Sequence, residues 1–90
     1  MGRIVSLKFE HDGTDHYCVV SIEKKSDQTM YTFRLKTEEL QELFAEDNYF
    51  VEKDGQIQVT VSSENIRRSK LKLAIAKAIA DYFKVRQETL

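Results

Sequence analysis

The residues from Ser62 to Arg86 carry one uninterrupted helical pattern, and its apolar face is wider than a single flat surface can cover. At about 100° per residue, Leu71, Ile75, Ala78, Ile79 and Tyr82 cluster within about 100°, and Ala74, Ala76, Phe83 and Val85 widen the apolar arc to about 200°. The polar face is narrow, chiefly Lys70, Lys77, Asp81 and Lys84. A helix resting on a sheet normally needs an apolar stripe of roughly 100°, so something else has to cover the remainder. The candidates are the other helix of the chain, a second copy of the chain, or a different protein, and a neighbouring helix on the same sheet face is the simplest. Leu73 projects near Ala80 beside the polar stripe and is expected to be exposed, where it would nucleate such a contact.

Ahead of this helix the apolar residues follow a period of two. Val5, Leu7 and Phe9 alternate with Ser6, Lys8 and Glu10, then Cys18, Val20 and Ile22 share one face, as do Tyr31, Phe33 and Leu35. A four-residue loop at Asp12 to Asp15 opposes Phe9 to Cys18, Leu7 to Val20, Val5 to Ile22 and His11 to His16. A four-residue loop at Lys25 to Gln28 opposes Val20 to Phe33 and Ile22 to Tyr31. Thr37-Glu38-Glu39 is a good helix start, followed by an apolar stripe of Leu40, Leu43 and Phe44, and predicts a helix of about ten residues.

Tyr49 to Val51 and Ile57 to Val61 predict a second hairpin. A three-residue loop Lys53-Asp54-Gly55 opposes Val51 to Ile57 and Tyr49 to Val59 and places Phe50 on the other face. A two-residue Asp-Gly turn would instead oppose Glu52 to Ile57 and put a charge on the apolar face, so the longer loop is preferred. The predicted order is β-β-β-α-β-β-α. This is an α+β fold over residues 1–90, one domain with a five-stranded, mostly antiparallel sheet and two helices packed on one face. The order of the strands within the sheet is not readable from the sequence.

Composition narrows the function classes. Hydrophobic content of 41% with 32% charged residues is ordinary for a chain that folds, and a net charge of -1 leaves any electrostatic partner to a local patch. Cys18 is the only cysteine, which excludes an internal disulfide or a cysteine zinc cluster and fits a reducing compartment, so a cytoplasmic location is expected. No segment approaches the roughly 20 apolar residues needed to span a bilayer. Met1-Gly2-Arg3-Ile4-Val5-Ser6 matches a loose myristoylation pattern, but the same residues open a strand.

Two constellations have the residue types for binding. Arg67, Arg68, Lys70 and Lys72 stand at the start of the last helix, where unpaired N–H groups already favour an anion and positive side chains oppose the macrodipole. The simpler reading is that Ser69 caps the helix, that Arg67 and Arg68 lie in a solvated loop, and that Glu38, Glu39, Glu42 and Glu46 balance the charge. A nucleic-acid surface would add Tyr17, Phe50, Lys8, Arg34 and Lys36 of the outer sheet face as a stacking platform. The turn from His11 to His16 would juxtapose two imidazoles with Asp12 or Asp15, a set suited to zinc or nickel, although Asp-Gly turn chemistry explains the same residues.

No glycine-rich phosphate loop or nucleophile-base pair is present, so neither an enzyme nor a cofactor site is expected. The leading expectation is a non-enzymatic protein-interaction module, an adaptor, inhibitor or subunit. It would use Arg67, Arg68, Lys70, Lys72 and Leu73 to meet an acidic partner or a second copy of itself. RNA or DNA binding at the basic start is the alternative.

Overall fold

The computed structural model describes residues 3–44, 47–60 and 65–89. The elements in chain order are β1 (Arg3–His11), β2 (Thr14–Lys24), β3 (Thr29–Leu35), α1 (Glu38–Glu42), β4 (Tyr49–Lys53), β5 (Gln56–Val59), α2 (Ile66–Phe83) and β6 (Arg86–Thr89). Among the described residues, six strands lie side by side in the order of the chain. All neighbours are antiparallel except β5 and β6, which run parallel through the α2 crossover. The sheet curls, so that α2 touches β1 near one edge and β5 and β6 at the other.

The α+β class stands; the sheet has a sixth strand that the expected five-stranded order lacks. The expected helix to Arg86 ends instead at Phe83, because Lys84 takes a left-handed conformation (φ 56°, ψ 45°). The N–H groups of Lys84 and Val85 both turn back to the Ala80 carbonyl, the 3.0 Å bond from Val85 closing the helix end. The chain then leaves the helix, and the Arg86 N–H donates to the Gly55 carbonyl at 3.1 Å to begin pairing with β5. Four polar residues carry no apolar alternation, so β6 gave no strand signal. At its other end α2 starts at Ile66, and the expected start at Ser62 to Glu64, with the strand end at Val61, lies outside the described residues.

The register between β2 and β3 is as expected, with Val20 opposite Phe33 and Ile22 opposite Tyr31. Between β1 and β2 the strands are shifted by two residues: Leu7 opposes Cys18, Val5 opposes Val20, and Phe9 opposes His16. The turn is the two-residue Asp12-Gly13, both with positive φ, whose twist matches that of the flanking strands. A shift of two preserves the faces, so Leu7, Phe9, Cys18 and Val20 still enter the core.

The second hairpin differs by one residue, and that inverts β4. Asp54 (φ 54°) and Gly55 (φ 77°) form the two-residue turn, Glu52 opposes Ile57, and Phe50 is buried while Tyr49 is exposed. Two interactions favour this register over the expected three-residue loop. Phe50 stacks on Phe33 with ring centroids 5.2 Å apart, and Phe33 also meets Phe44 of the α1 end edge-on at 5.2 Å. Glu52, the charge that falls on the inner side, accepts a 2.6 Å hydrogen bond from the Tyr31 hydroxyl at the margin of the core. Burial, then the hydrogen bond and charge of Glu52, hold the Tyr31 hydroxyl above its ordinary pKa.

Helix α1 is five residues long, half the expected length. Thr37 provides no side-chain cap; the chain tightens after Gln41 through bonds from Leu43 to the Leu40 carbonyl and from Phe44 to the Gln41 carbonyl. Gln41 has a further use. Its Oε1 accepts from the Leu35 N–H at 2.8 Å, occupying a β3 donor beyond the reach of β4. Leu40 and Phe44 join the inner faces of the strands and α2 in one buried cluster.

Two measurements follow. Phe50→Ala is expected to lower the unfolding free energy by about 3 to 4 kcal/mol in urea titrations, against less than about 1 kcal/mol for Tyr49→Ala; equal losses would contradict the register of β4. Cys18 is fully buried and burial pushes its thiol up to about 11, so a thiol reagent at pH 8 is expected to label it only as fast as the protein unfolds.

Candidate functional site

The basic start of α2 divides into two groups with different surroundings. Asn65 caps the helix, its side-chain oxygen accepting from the Arg68 N–H at 3.0 Å, so Arg67 to Lys72 all lie within the helix. Neither a Ser69 cap nor a loop at Arg67 and Arg68 is what forms. Arg67 and Lys70 are exposed, whereas Arg68 and Lys72, four residues apart and therefore on one face, turn inward.

Asp47, in the connection between α1 and β4, receives both. Lys72 Nζ donates to Asp47 Oδ2 at 2.8 Å and to the Thr60 carbonyl at 2.7 Å. Arg68 donates from its guanidinium to the same Asp47 oxygen, and its Nε donates to the Leu43 carbonyl at 2.8 Å. The Lys72 side chain is only 5% exposed, against 39% for Asp47. The lysine stem lies in the core and its ammonium is held at the margin, 6.0 Å from the centroid of the Phe50 ring. Arg68 lies 5.4 Å from the centroid of Phe44.

This arrangement answers the macrodipole conflict. The first turn of α2 has no acid of its own, and Asp47 brings a negative charge to that end from another segment. Burial acts to raise the Asp47 pKa, but the hydrogen bonds and charges of Lys72 and Arg68 outweigh it and hold the carboxyl below its usual range. The acids expected to balance the cluster do not do so. Among the described residues, Glu38, Glu39 and Glu42 pair with neither Arg68 nor Lys72, and Glu46 lies outside them. Asp47 carried no sequence signal, because its partners Arg68 and Lys72 lie more than 20 residues away and meet it only in the folded chain.

Leu73 is not the exposed contact expected of it; it is half-buried and packs against the core. Much of the wide apolar arc is likewise covered within the chain. Leu71, Lys72, Ile75, Ala76, Ile79 and Ala80 are buried, which turns the inward face toward Lys72 and Ala76 and leaves Tyr82 half exposed. Counting Ala76 and Ala80 as one flank of the buried face would have located Lys72 near its middle.

What α2 presents outward is Ile66, Arg67, Lys70, Lys77, Asp81 and Tyr82, with Lys84 just past its end. The outer sheet face no longer offers the expected platform. Phe50 is in the core, the Tyr17 ring has the Lys36 ammonium 5.4 Å from its centroid, and Lys8 lies 3.6 Å from Asp15. At the first hairpin His11 opposes Thr14 rather than His16; the two imidazoles are 6.0 Å apart and His16 stacks on Phe9. No cluster of metal-ligating side chains occurs among the described residues, and no helix among them is long and apolar enough to cross a membrane. Comparison with protein-family models, curated protein sequences and solved structures finds no match.

Asp47→Asn is expected to cost about 2 kcal/mol at neutral pH, a value reduced from that of a fully buried pair because Asp47 is partly solvated. Lys72→Met is expected to cost less, since it leaves Asp47 with Arg68 and keeps the stem packed. A carboxyl with a depressed native pKa stabilises above its unfolded value and loses that contribution as pH falls through the native value. The gap in Tm between wild type and Asp47→Asn is therefore expected to close between about pH 5 and pH 2, and a gap independent of pH would refute the ion-pair role.

Proposed function

We propose that this chain is a small protein-interaction module that binds an acidic partner through the outward face of α2. One observation carries the reading: Arg67, Lys70, Lys77 and Lys84 stand along one side of the helix with Asp81 as the acid among them. The stripe runs about 27 Å, the length of 18 helical residues. On a chain of net charge -1 this is a local concentration of positive charge, of the kind that steers a complementary surface. Ile66, 66% exposed at its start, supplies an apolar contact.

Arg68 and Lys72, which the expected site included, act in this reading as the support that fixes the helix rather than as contacts. A second copy of the chain is a poor occupant of the stripe, because two identical positive stripes repel. Nucleic acid is the lesser reading, since the outer-sheet platform loses Phe50 to the core and Tyr82 is the single exposed aromatic that α2 offers beside the stripe. The reading requires no cofactor and no chemical step.

Fluorescence anisotropy with labelled poly-L-glutamate at low salt is the direct test. The doubly reversed variant Lys70→Glu, Lys77→Glu is expected to bind at least about tenfold more weakly, with a reduced salt dependence, and Tyr17→Ser to bind as wild type. Equal binding by the reversed variant sinks the proposal, and tighter binding of mixed-sequence oligonucleotides at the same ionic strength transfers it to nucleic acid.

A further inference from the structure

The second binding feature lies at the other end of α2, where the helix stops short of the sheet margin and leaves an open cleft of about 480 Å³. Its floor is built by two rows of the sheet. Arg3 opposes Ile22 and Ile22 opposes Tyr31; one step further out, Lys24 opposes Thr29 and Thr29 opposes Glu52. Phe83 and Val85 from the helix end close the far side, with the Phe83 ring 5.3 Å from that of Tyr31. The volume falls within the range of roughly 300 to 1,000 Å³ usual for small-molecule sites, and a few polar groups converge on apolar walls as such sites require.

The polar groups are ordered by depth and by sign. Arg3 and Lys24 are exposed and belong to the mouth, while Glu52 is half-buried and Tyr31 buried. Glu52 Oε1 is engaged by the Tyr31 hydroxyl, which leaves acceptor capacity on the second oxygen. That carboxylate stands beside the paired rings of Tyr31 and Phe83, and the C-terminal end of α2 adds partial negative charge on the same side. The inner end is thus a place for a cation, held by the Glu52 carboxylate with the half-buried Phe83 ring beside it. The mouth, with two side chains of opposite sign to Glu52, is a place for an anion. Lys24 and Glu52 are two strands apart in one row, roughly 10 Å at the backbone, so the two ends call for separated charges on one small molecule.

We propose that this cleft binds a small zwitterion with separated charges, of the ω-amino-acid class, its ammonium at Glu52 beside the Tyr31–Phe83 ring pair and its carboxylate at Arg3 and Lys24. A simple anion meets Glu52 as a like charge, and a simple cation has to pass Arg3 and Lys24 with nothing to pair them. The apolar chain between the charges lies on Ile22 and Val85.

Amide NMR titration of the whole chain with 6-aminohexanoate, hexanoate and hexylamine as probes is the test. The zwitterion is expected to give saturable shifts at Thr29, Tyr31, Glu52 and Phe83, and each singly charged analogue to bind about tenfold more weakly, the loss of one charge-assisted hydrogen bond. Glu52→Gln keeps an acceptor for Tyr31 and is expected to weaken the zwitterion by a similar factor while leaving hexanoate unaffected or improved. The exposed pair Arg3→Gln, Lys24→Gln, which does not threaten folding, is expected to weaken the zwitterion and leave hexylamine unaffected or improved. No saturable shift up to about 10 mM, or equal binding of all three probes, overturns the proposal.

Discussion

Half of the circumference of an 18-residue helix has to be removed from water, and the shape of the sheet follows from that demand. A flat sheet covers too narrow a stripe. Here the strands follow one another in chain order and curl, so that the first and the last two strands both reach the same helix. Val20, Phe33, Phe50, Ile57 and Val59 from the sheet and Leu71, Ile75 and Ile79 from the helix are each essentially inaccessible to solvent, which identifies this contact as the centre of the core.

The polar margin of that contact shows how the curl places charge. Lys72 lies on the buried face because its neighbours at four and eight positions onward, Ala76 and Ala80, are buried with it. A lysine there is tolerable only if its ammonium is met by acceptors, and Asp47 with the Thr60 carbonyl provides them. Arg68 uses the same carboxylate and the Leu43 carbonyl, so the end of α1, the approach to β4 and the exit of β5 are all tied to the start of α2. Positive charge remaining on the helix is then displayed on its outer side, and the two ends of α2 acquire different characters. One end is braced by Asp47, while the other opens onto Glu52, Tyr31 and Phe83.

The errors of sequence reasoning have specific causes. Alternation assigned the inner faces of β1, β2 and β3 correctly, because a two-residue slip between strands leaves each residue on its side. The same reasoning failed at the second hairpin, where keeping Glu52 off the apolar face was weighed above the Asp-Gly turn signal. A hydrogen bond from Tyr31, 21 residues away, removes that objection, and it is invisible until β3 and β4 are side by side. Leu73 and Lys72 were misplaced for a related reason. A projection centred on the largest apolar side chains leaves out Ala76 and Ala80, which are buried together with Leu71, Ile75 and Ile79 and extend the inward face to Lys72.

By itself the sequence determined the α+β class, the two hairpin positions, the inner faces of the first three strands and the existence and polarity of the last helix. All of these rest on local periodicity and turn chemistry, which neighbouring residues specify among themselves. Tertiary structure alone decided the sixth strand, the face of β4, the rotation of α2 and the identity of Asp47 as the counter-charge. Each depends on a partner distant in sequence: β5 for the polar strand at the C-terminus, Tyr31 for Glu52, the curled sheet for the helix, and Lys72 with Arg68 for Asp47. Local pattern states which residues seek burial or a counter-charge, but the choice of partner is made only when the chain has closed on itself.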